Sequence, residues 1–183
     1  NIYIGQGITE LMSQIIFSLV KNKEEVIIMD PTYPMYEVLC KLHNVRVKKW
    51  KFNNKHKIEV ETLKKIINKN TKVLFIVNPN LPIEYEFSMK EKDEIYKLCK
   101  KNKIVLVYDE AYFHFGAKSE IKNSINKDII VMRTFSKAWG LPSLRLGFLV
   151  TNKKLRDYIS KCRSLVETNA LSFQIAMWAL KNK

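Results

Sequence analysis

One lysine in this chain has neighbours that could make it a nucleophile. Lys137 follows the apolar run 129–132 and lies between Ser136 and Ala138. An apolar run of this kind is typical of a buried strand. Burial and a nearby cation such as Arg145 both favour the neutral, nucleophilic form of a lysine amine. We therefore expect Lys137 to be poorly solvated and to bond covalently to a carbonyl compound, although a loop lysine beside an N-capping serine would fit the same residues.

Residues that could bind a phosphate surround this lysine. Thr134 and Ser136 carry hydroxyl groups and Arg145 carries a guanidinium, and such groups suit a phosphate dianion. An amine that bonds to a carbonyl compound beside a phosphate site suggests pyridoxal phosphate as the cofactor.

The segment around Lys137 resembles the cofactor-lysine segment of fold-type I aminotransferases, above all the histidinol-phosphate aminotransferases and their relatives. Its sequence is Arg133-Thr-Phe-Ser-Lys-Ala-Trp-Gly-Leu-Pro-Ser-Leu-Arg-Leu-Gly147. The resemblance implies that Lys137 holds pyridoxal 5′-phosphate covalently and that Arg145 binds the cofactor phosphate. Thr134 and Ser136 match hydroxyl positions that also serve this phosphate.

A glycine turn near the start of the chain also suits an anion. Gly5-Gln-Gly-Ile-Thr9 precedes a helical pattern that we expect to begin at Glu10. The free N–H groups and the positive dipole end of a helix N-terminus bind anions. The stretch resembles the Gly-x-Gly-x-x-Glu loop of the same family, which implies that Ile8 and Thr9 bind the phosphate. Ile8 can contribute only its backbone.

Two further stretches resemble segments of this family that contact the cofactor ring. Pro31-Thr-Tyr-Pro-Met-Tyr36 follows a strand pattern, and the resemblance implies that Tyr33 stacks on the ring. Asn78-Pro-Asn-Leu-Pro-Ile-Glu84 resembles Asn-Pro-Asn-x-Pro-Thr-Gly, in which an asparagine donates to the ring oxygen. Asn80 is our candidate for that donor, with Asn78 behind it. Ile83 and Glu84 depart from the pattern, and Leu81 takes a place that is asparagine in some relatives.

A carboxylate follows an unbroken apolar strand pattern. The run 104–108 ends at Asp109-Glu-Ala-Tyr112. A carboxylate at a buried strand end is costly unless it is paired, and a protonated pyridine nitrogen would pair with it. The resemblance implies that Asp109 holds the ring nitrogen and Tyr112 the ring oxygen. From the residues alone, the Asp-Glu pair could equally indicate metal binding or a nucleotidase motif, although the sequence has no glycine-rich Gly-Lys-Ser/Thr loop of an NTPase.

The elements that must position these residues alternate along the chain. Apolar or alternating runs predict seven strands, at 1–4, 26–30, 45–50, 72–77, 104–108, 129–132 and 145–150. Helical spacing predicts one helix that begins at Glu10, a second that ends at about Leu42, and further helices at 60–67 and 172–180. Ser88, in a capping box with Glu91, and Asn152 are predicted to cap helices that run to about residues 101 and 166. This alternation predicts a parallel sheet with helices on both faces. The candidate residues follow strands, so they should meet at one edge of the sheet.

The resemblance covers residues 1–165 and implies a three-layer α/β/α fold. Its seven-stranded sheet would be parallel except for the strand at 145–150. Residues 1–165 would form the large, cofactor-binding domain of a pyridoxal-phosphate transferase, and 166–183 would begin a helical connection to a smaller C-terminal domain. The chain opens inside a strand pattern and closes inside a helical one. We therefore expect a piece of a longer protein.

Composition argues against several other functions, namely nucleic-acid binding, metal binding and a location in a membrane. The 183 residues carry a net charge of +14, but the lysines are scattered, so we do not expect a nucleic-acid partner. Three distant cysteines suit reduced thiols in the cytoplasm. The three histidines show no metal-ligand spacing, so no metal is expected. No apolar run is long enough to span a membrane and no signal peptide is present, so we expect a cytoplasmic protein.

These observations favour an aminotransferase. It would move an amino group between a phosphate-bearing amino substrate, such as histidinol phosphate, and a 2-oxo acid. The alternatives are a decarboxylase of an amino-acid phosphate and a cofactor-binding fragment without activity. The resemblance also implies a homodimer whose site is completed by residues outside this sequence. We therefore expect the chain to be inactive by itself.

Overall fold

A seven-stranded sheet forms the middle layer of the molecule. The computed structural model describes residues 1–163 and 168–182. The strands are β1 (Ile2–Gly5), β2 (Glu25–Asp30), β3 (Arg46–Lys51), β4 (Thr71–Val77), β5 (Val105–Asp109), β6 (Ile129–Thr134) and β7 (Gly147–Val150). Their order is β1-β7-β6-β5-β4-β2-β3, and β7 alone among them runs antiparallel to both neighbours. The predicted sheet is confirmed.

Helices cover both faces of this sheet. They are α1 (Gly7–Leu19), α2 (Met35–Leu42), α3 (Val60–Ile66), α4 (Met89–Lys101), α5 (Ile121–Ser124), α6 (Lys153–Ile159) and α7 (Ala170–Lys181). Side chains alternate across each strand, so Val26 and Ile28 join one buried cluster with α1, α2 and α6. Ile27 and Met29 join a second cluster with α3 and α4. The three-layer arrangement predicted from the alternation is therefore present.

Capping residues set two of the helix starts as predicted. Ser88 forms a capping box with Glu91 at the start of α4. The Asn152 side chain accepts a hydrogen bond from the Leu155 N–H at the start of α6. These bonds satisfy N–H groups that have no partner within the helix.

Several predicted boundaries are wrong, among them the starts of α1 and β7 and the end of α6. Helix α1 begins at Gly7 rather than Glu10, because the glycine turn continues directly into the helix. Strand β7 begins at Gly147 rather than at 145, because Arg145 has a left-handed backbone conformation. Helix α6 ends at Ile159 and is followed by a 3₁₀ turn to Cys162, after which Arg163 is extended. Residue 166, the predicted end of this helix, lies outside the described residues.

Helix α7 packs against a small third cluster rather than against the main core. Ala176 contacts this cluster, which contains Phe135 and Leu146 from the segments that flank the Lys137 turn. Leu171 and Trp178 on the same helix are exposed. The predicted domain boundary at 165 and 166 lies outside the described residues.

Within the described part of the chain, no helix combines the length and the apolar composition that crossing a membrane requires.

Candidate active site

A pocket of about 800 Å³ opens where the parallel strands end. Nine of the ten residues predicted to bind the cofactor line this pocket: Ile8, Thr9, Tyr33, Asp109, Tyr112, Thr134, Ser136, Lys137 and Arg145. They come from the beginning of α1, from the last residues of β5 and β6, and from the segments after β2, β5 and β6. The carboxyl ends of parallel strands share one edge of a sheet, and ligands bind there in open α/β folds.

One end of the pocket is built for an anion. No side chain caps the N-terminus of α1, so its first N–H groups are available at the turn that carries Ile8 and Thr9. Gly7 has φ +80°, and a Cβ atom there would lie 2.9 Å from Nη2 of Arg145. Glycine therefore lets the guanidinium approach the helix N-terminus closely. Arg145 also donates from Nη1 to the Pro142 carbonyl at 2.9 Å, which fixes the position of its side chain.

The turn after β6 adds hydroxyl groups and an amine. The Thr134 hydroxyl accepts a hydrogen bond from the Ser136 N–H at 3.0 Å, which orders the start of the turn. Nζ of Lys137 lies 5.2 Å from the ring centroid of Tyr112. The expectation that Lys137 is poorly solvated is wrong, because the residue is exposed while it lines the pocket. The buried strand ends at Thr134, and the turn carries the lysine out of the core.

The carboxylate of Asp109 is buried at the end of β5. It is 3 % exposed, and burial raises its pKa from 3.8 to about 6. Its two oxygens each accept one hydrogen bond. Oδ1 accepts from the Ala111 N–H at 2.9 Å, and Oδ2 accepts from the Tyr36 hydroxyl at 2.7 Å. These donors partly offset the cost of burying the charge.

The neighbouring residue Glu110 belongs to a different network. Its Oε2 forms a salt bridge with Nη2 of Arg133 at 2.9 Å and also accepts from Ser119. The guanidinium of Arg133 lies 3.7 Å from the ring centroid of Phe113. This network fixes the turn that carries Tyr112. It also occupies one of the two carboxylates that a metal site at Asp109-Glu110 would need.

Asn80 is the predicted site residue that does not line the pocket. It is fully buried, and its side-chain N–H groups donate to the Pro31 and Ile83 carbonyls, each at 3.1 Å. Its Oδ1 accepts from the Thr32 hydroxyl at 2.8 Å. An asparagine has two side-chain N–H donors, and both are used here. Donation to a cofactor ring stays a prediction, and it would require one of these bonds to break. Leu81 lines the pocket instead.

Sequence reasoning missed Tyr36. It interpreted the aromatic pair in 31–36 through Tyr33 alone, although the two tyrosines lie three residues apart. In the structure their rings pack edge to face with centroids 6.4 Å apart, and the Tyr36 hydroxyl donates a hydrogen bond to Asp109. The presence of Tyr36 in the segment that follows β2 was the available signal, although its contact with Asp109 could not be predicted from that segment.

Comparison with known proteins identifies the family. The aminotransferase class I and II family matches residues 1–183. This chain belongs to that family. It is 32 % identical over 184 residues to the histidinol-phosphate aminotransferase of Thermoanaerobacter sp. (strain X514), covering 99 % of this chain and 51 % of that protein. It is also 32 % identical over 189 residues to the histidinol-phosphate aminotransferase of Methanocaldococcus jannaschii, covering 100 % of this chain and 50 % of that protein.

A solved structure in the same family has the same fold. The histidinol-phosphate aminotransferase from Clostridium acetobutylicum superposes with a TM-score of 0.87 at 25 % identity, covering 99 % of this chain and 54 % of that one. The chain spans about half the length of the curated relatives it matches.

Membership of the family implies pyridoxal 5′-phosphate as the cofactor. The pocket fits such a group, because it combines an uncapped helix N-terminus beside Arg145, the amine of Lys137 and a buried carboxylate.

Proposed function

We propose that this chain holds pyridoxal 5′-phosphate in the pocket and forms the cofactor-binding part of an aminotransferase. The observation that carries the proposal is that Lys137, Asp109 and Arg145 line a single pocket in a chain of this family. An amine, a buried acid and an anion site are the three groups that this cofactor needs from a protein.

In this proposal, one end of the pocket anchors the cofactor phosphate. Arg145 and the N–H groups of Ile8 and Thr9 supply positive charge and hydrogen-bond donors. The hydroxyl groups of Thr134 and Ser136 complete the set. Gly7 leaves room for the guanidinium to lie against the helix N-terminus.

The other residues act on the ring and on the substrate. Lys137 would hold the cofactor covalently. Once the substrate amine had taken its place, the freed Lys137 amine would move a proton at the substrate carbon that carries the amino group. When bound, pyridoxal phosphate withdraws electrons from that carbon. Asp109 keeps the ring nitrogen protonated, Tyr112 donates to the ring oxygen, and Tyr33 packs on the ring face.

The finer assignments follow the relatives. Two of them are named histidinol-phosphate aminotransferases, so we infer a phosphate-bearing amino substrate and a 2-oxo acid as reactants. We also infer a homodimer in the cytoplasm, with residues 1–165 as the large domain and 166–183 as the start of a connection to a further domain. Neither the pocket nor the comparisons favour the decarboxylase alternative.

The test of this function is to locate the lysine that bonds to the cofactor. The chain is loaded with pyridoxal phosphate, reduced with borohydride, digested and analysed by mass spectrometry. We expect a pyridoxyl group on Lys137 and its loss in Lys137→Arg. The matched control Lys122→Arg, at an exposed position on α5, should leave the labelled peptide unchanged. A pyridoxyl group confined to another lysine would refute the assignment.

A further inference from the structure

Asp109 has a side-chain partner that the proposed chemistry has not yet used. Tyr36 lies in the first turn of α2, with no exposed surface, and its hydroxyl donates to Oδ2 of Asp109 at 2.7 Å. The two residues are 73 positions apart in the chain. This bond therefore connects α2 to the end of β5 across the pocket edge of the sheet.

The bond fixes the orientation of the carboxylate. The Ala111 N–H, in the turn after β5, donates to Oδ1 of Asp109. The Tyr36 hydroxyl, on α2, donates to Oδ2. A carboxylate held at both oxygens cannot rotate freely, yet each oxygen keeps a lone pair for a further donor. The Tyr36 ring is itself fixed, because it packs against Phe75 with ring centroids 5.0 Å apart.

The groups around Asp109 include some that raise its pKa and some that lower it. Burial and the nearby Glu110 raise the pKa of Asp109, whereas the Tyr36 hydroxyl, the Ala111 N–H and the charge of Lys137 lower it. Burial and Asp109 in turn raise the pKa of Tyr36 well above its ordinary value. The phenol therefore keeps its hydrogen and remains a donor throughout the neutral pH range.

We propose that Tyr36 is a positioning residue that keeps the Asp109 carboxylate ionised and aimed at the ring nitrogen of the cofactor. The proposal rests on the function proposed above. An ionised, oriented carboxylate favours the proton on the ring nitrogen, whereas a carboxylate without this donor is more basic and takes the proton itself. Tyr36 thus acts on the cofactor through Asp109 rather than by touching it.

The first test measures Asp109 without any cofactor. Tyr36→Phe removes the hydroxyl and keeps the ring that packs on Phe75. A hydrogen bond to a charged group of this kind corresponds to about one to two pH units, so the titration midpoint of the Asp109 carboxyl carbon, followed by ¹³C NMR, should rise by that amount. Tyr85→Phe is the control, because Tyr85 donates to Glu91 at 2.8 Å outside the pocket. It should leave the Asp109 midpoint unchanged.

A second variant separates the hydrogen bond from packing. Replacing Tyr36 by 3-fluorotyrosine keeps the phenol and makes it a stronger donor, so the Asp109 midpoint should fall rather than rise. A residue that only fills space would not shift the midpoint in opposite directions in the two variants. The fluorinated chain also provides a result if Tyr36→Phe does not fold. An Asp109 midpoint that does not fall with 3-fluorotyrosine would overturn the proposal.

The last test measures the protonation of the ring nitrogen of the bound cofactor. Pyridoxal phosphate labelled with ¹⁵N in the ring is bound to the wild-type chain and to Tyr36→Phe, and the ¹⁵N shift reports where the proton lies. We expect the Tyr36→Phe signal to move toward that of an unprotonated ring. Equal shifts in the two chains would overturn the role of Tyr36. If the wild-type chain did not bind the labelled cofactor at all, the proposed function would fail instead.

Discussion

The buried carboxylate of Asp109 should make the stability of the folded chain depend on pH. Its pKa is raised by burial from 3.8 to about 6. Between these values the unfolded chain releases a proton that the folded chain retains, so stability falls as pH rises. The stabilisation that the raised pKa of Asp109 gives to the folded chain is fully present below about pH 4 and is lost by about pH 7. The difference of about two pH units corresponds to about 3 kcal/mol.

Replacement of Asp109 by asparagine isolates this effect. The free energy of unfolding of wild type minus that of Asp109→Asn should fall by about 3 kcal/mol between about pH 4 and pH 7. Urea denaturation of the chain without cofactor measures both values, and the other titrating groups cancel. Asp157 is a control for which stability should depend on pH with the opposite sign, because a hydrogen bond from Arg156 holds the pKa of Asp157 below its ordinary value. Its contribution should be lost as pH falls. Parallel curves for wild type and Asp109→Asn would contradict the burial argument.

The site residues show which features a sequence can predict and which it cannot. Lys137, Asp109 and Arg145 lie in short motifs that follow strands, so their convergence could be predicted from local patterns. The exposure of Lys137 could not, because it depends on how the turn leaves the core. The bond between Tyr36 and Asp109 joins residues 73 apart, and no local pattern encodes such a contact.

At the scale of elements, Asn80 connects the segments that follow β2 and β4. Its side chain bonds to Pro31, Thr32 and Ile83 and is completely buried. Asn80→Ala would remove three hydrogen bonds and leave their partly buried partner groups without these contacts. We expect the free energy of unfolding to fall by roughly 2–4 kcal/mol.

Urea denaturation checks the prediction for Asn80. Asn54→Ala, at an exposed turn, is the matched control and should change the free energy of unfolding by less than about 0.5 kcal/mol. An equally small change in Asn80→Ala would show that the two segments are held by other contacts.

Strands and layers followed from residue pattern, whereas element ends did not always do so. The apolar run of β6 reflects burial on both faces of the sheet. The alternation in β3 predicted burial on one face, but Val47 packs against the cluster that contains Val26, and Trp50 belongs to the cluster on the other face. The start of α1 at Gly7 was missed because a glycine turn and a helical first turn cannot be distinguished by composition. Likewise, the left-handed conformation of Arg145 shortens β7 and is uncommon for a residue other than glycine, so the residue type did not predict it.

At the scale of the whole molecule, charge and apolar surface oppose each other. Large apolar side chains are exposed along α7, among them Leu171 and Trp178. An exposed apolar face favours self-association, but a net charge of +14 favours repulsion between copies. Since salt screens the repulsion, association of the 183-residue chain should increase from low salt to about 0.5 M salt.

Sedimentation velocity at the two salt concentrations measures this balance. Trp178→Glu should reduce association at high salt, because it places a charge on the apolar face of α7. Phe17→Glu is the matched control, since Phe17 on α1 is exposed to a similar extent, 64 % against 66 %. Association that weakens as salt rises would show that contacts between charges, rather than the α7 face, hold the copies together.

The composition of the pocket predicts that these 183 residues bind cofactor without turning over substrate at an enzymatic rate. Among the described residues that line it, the cations are Lys137 and Arg145, and the proposed function assigns both to the cofactor. No further cation of the pocket lining is left to hold a substrate carboxylate or phosphate. Binding energy from such remote groups positions the reacting carbon, so its loss should lower the rate as well as the affinity.

The experiment mixes the cofactor-loaded chain with histidinol phosphate and follows the cofactor absorbance. We expect a stable spectrum of the bound cofactor and conversion far slower than the ~1–10³ per second of ordinary enzymes. Lys137→Arg gives the background rate, because it lacks the amine that moves the proton. Conversion within the enzymatic range, abolished by Lys137→Arg, would show that the described pocket grips its substrate without a further cation.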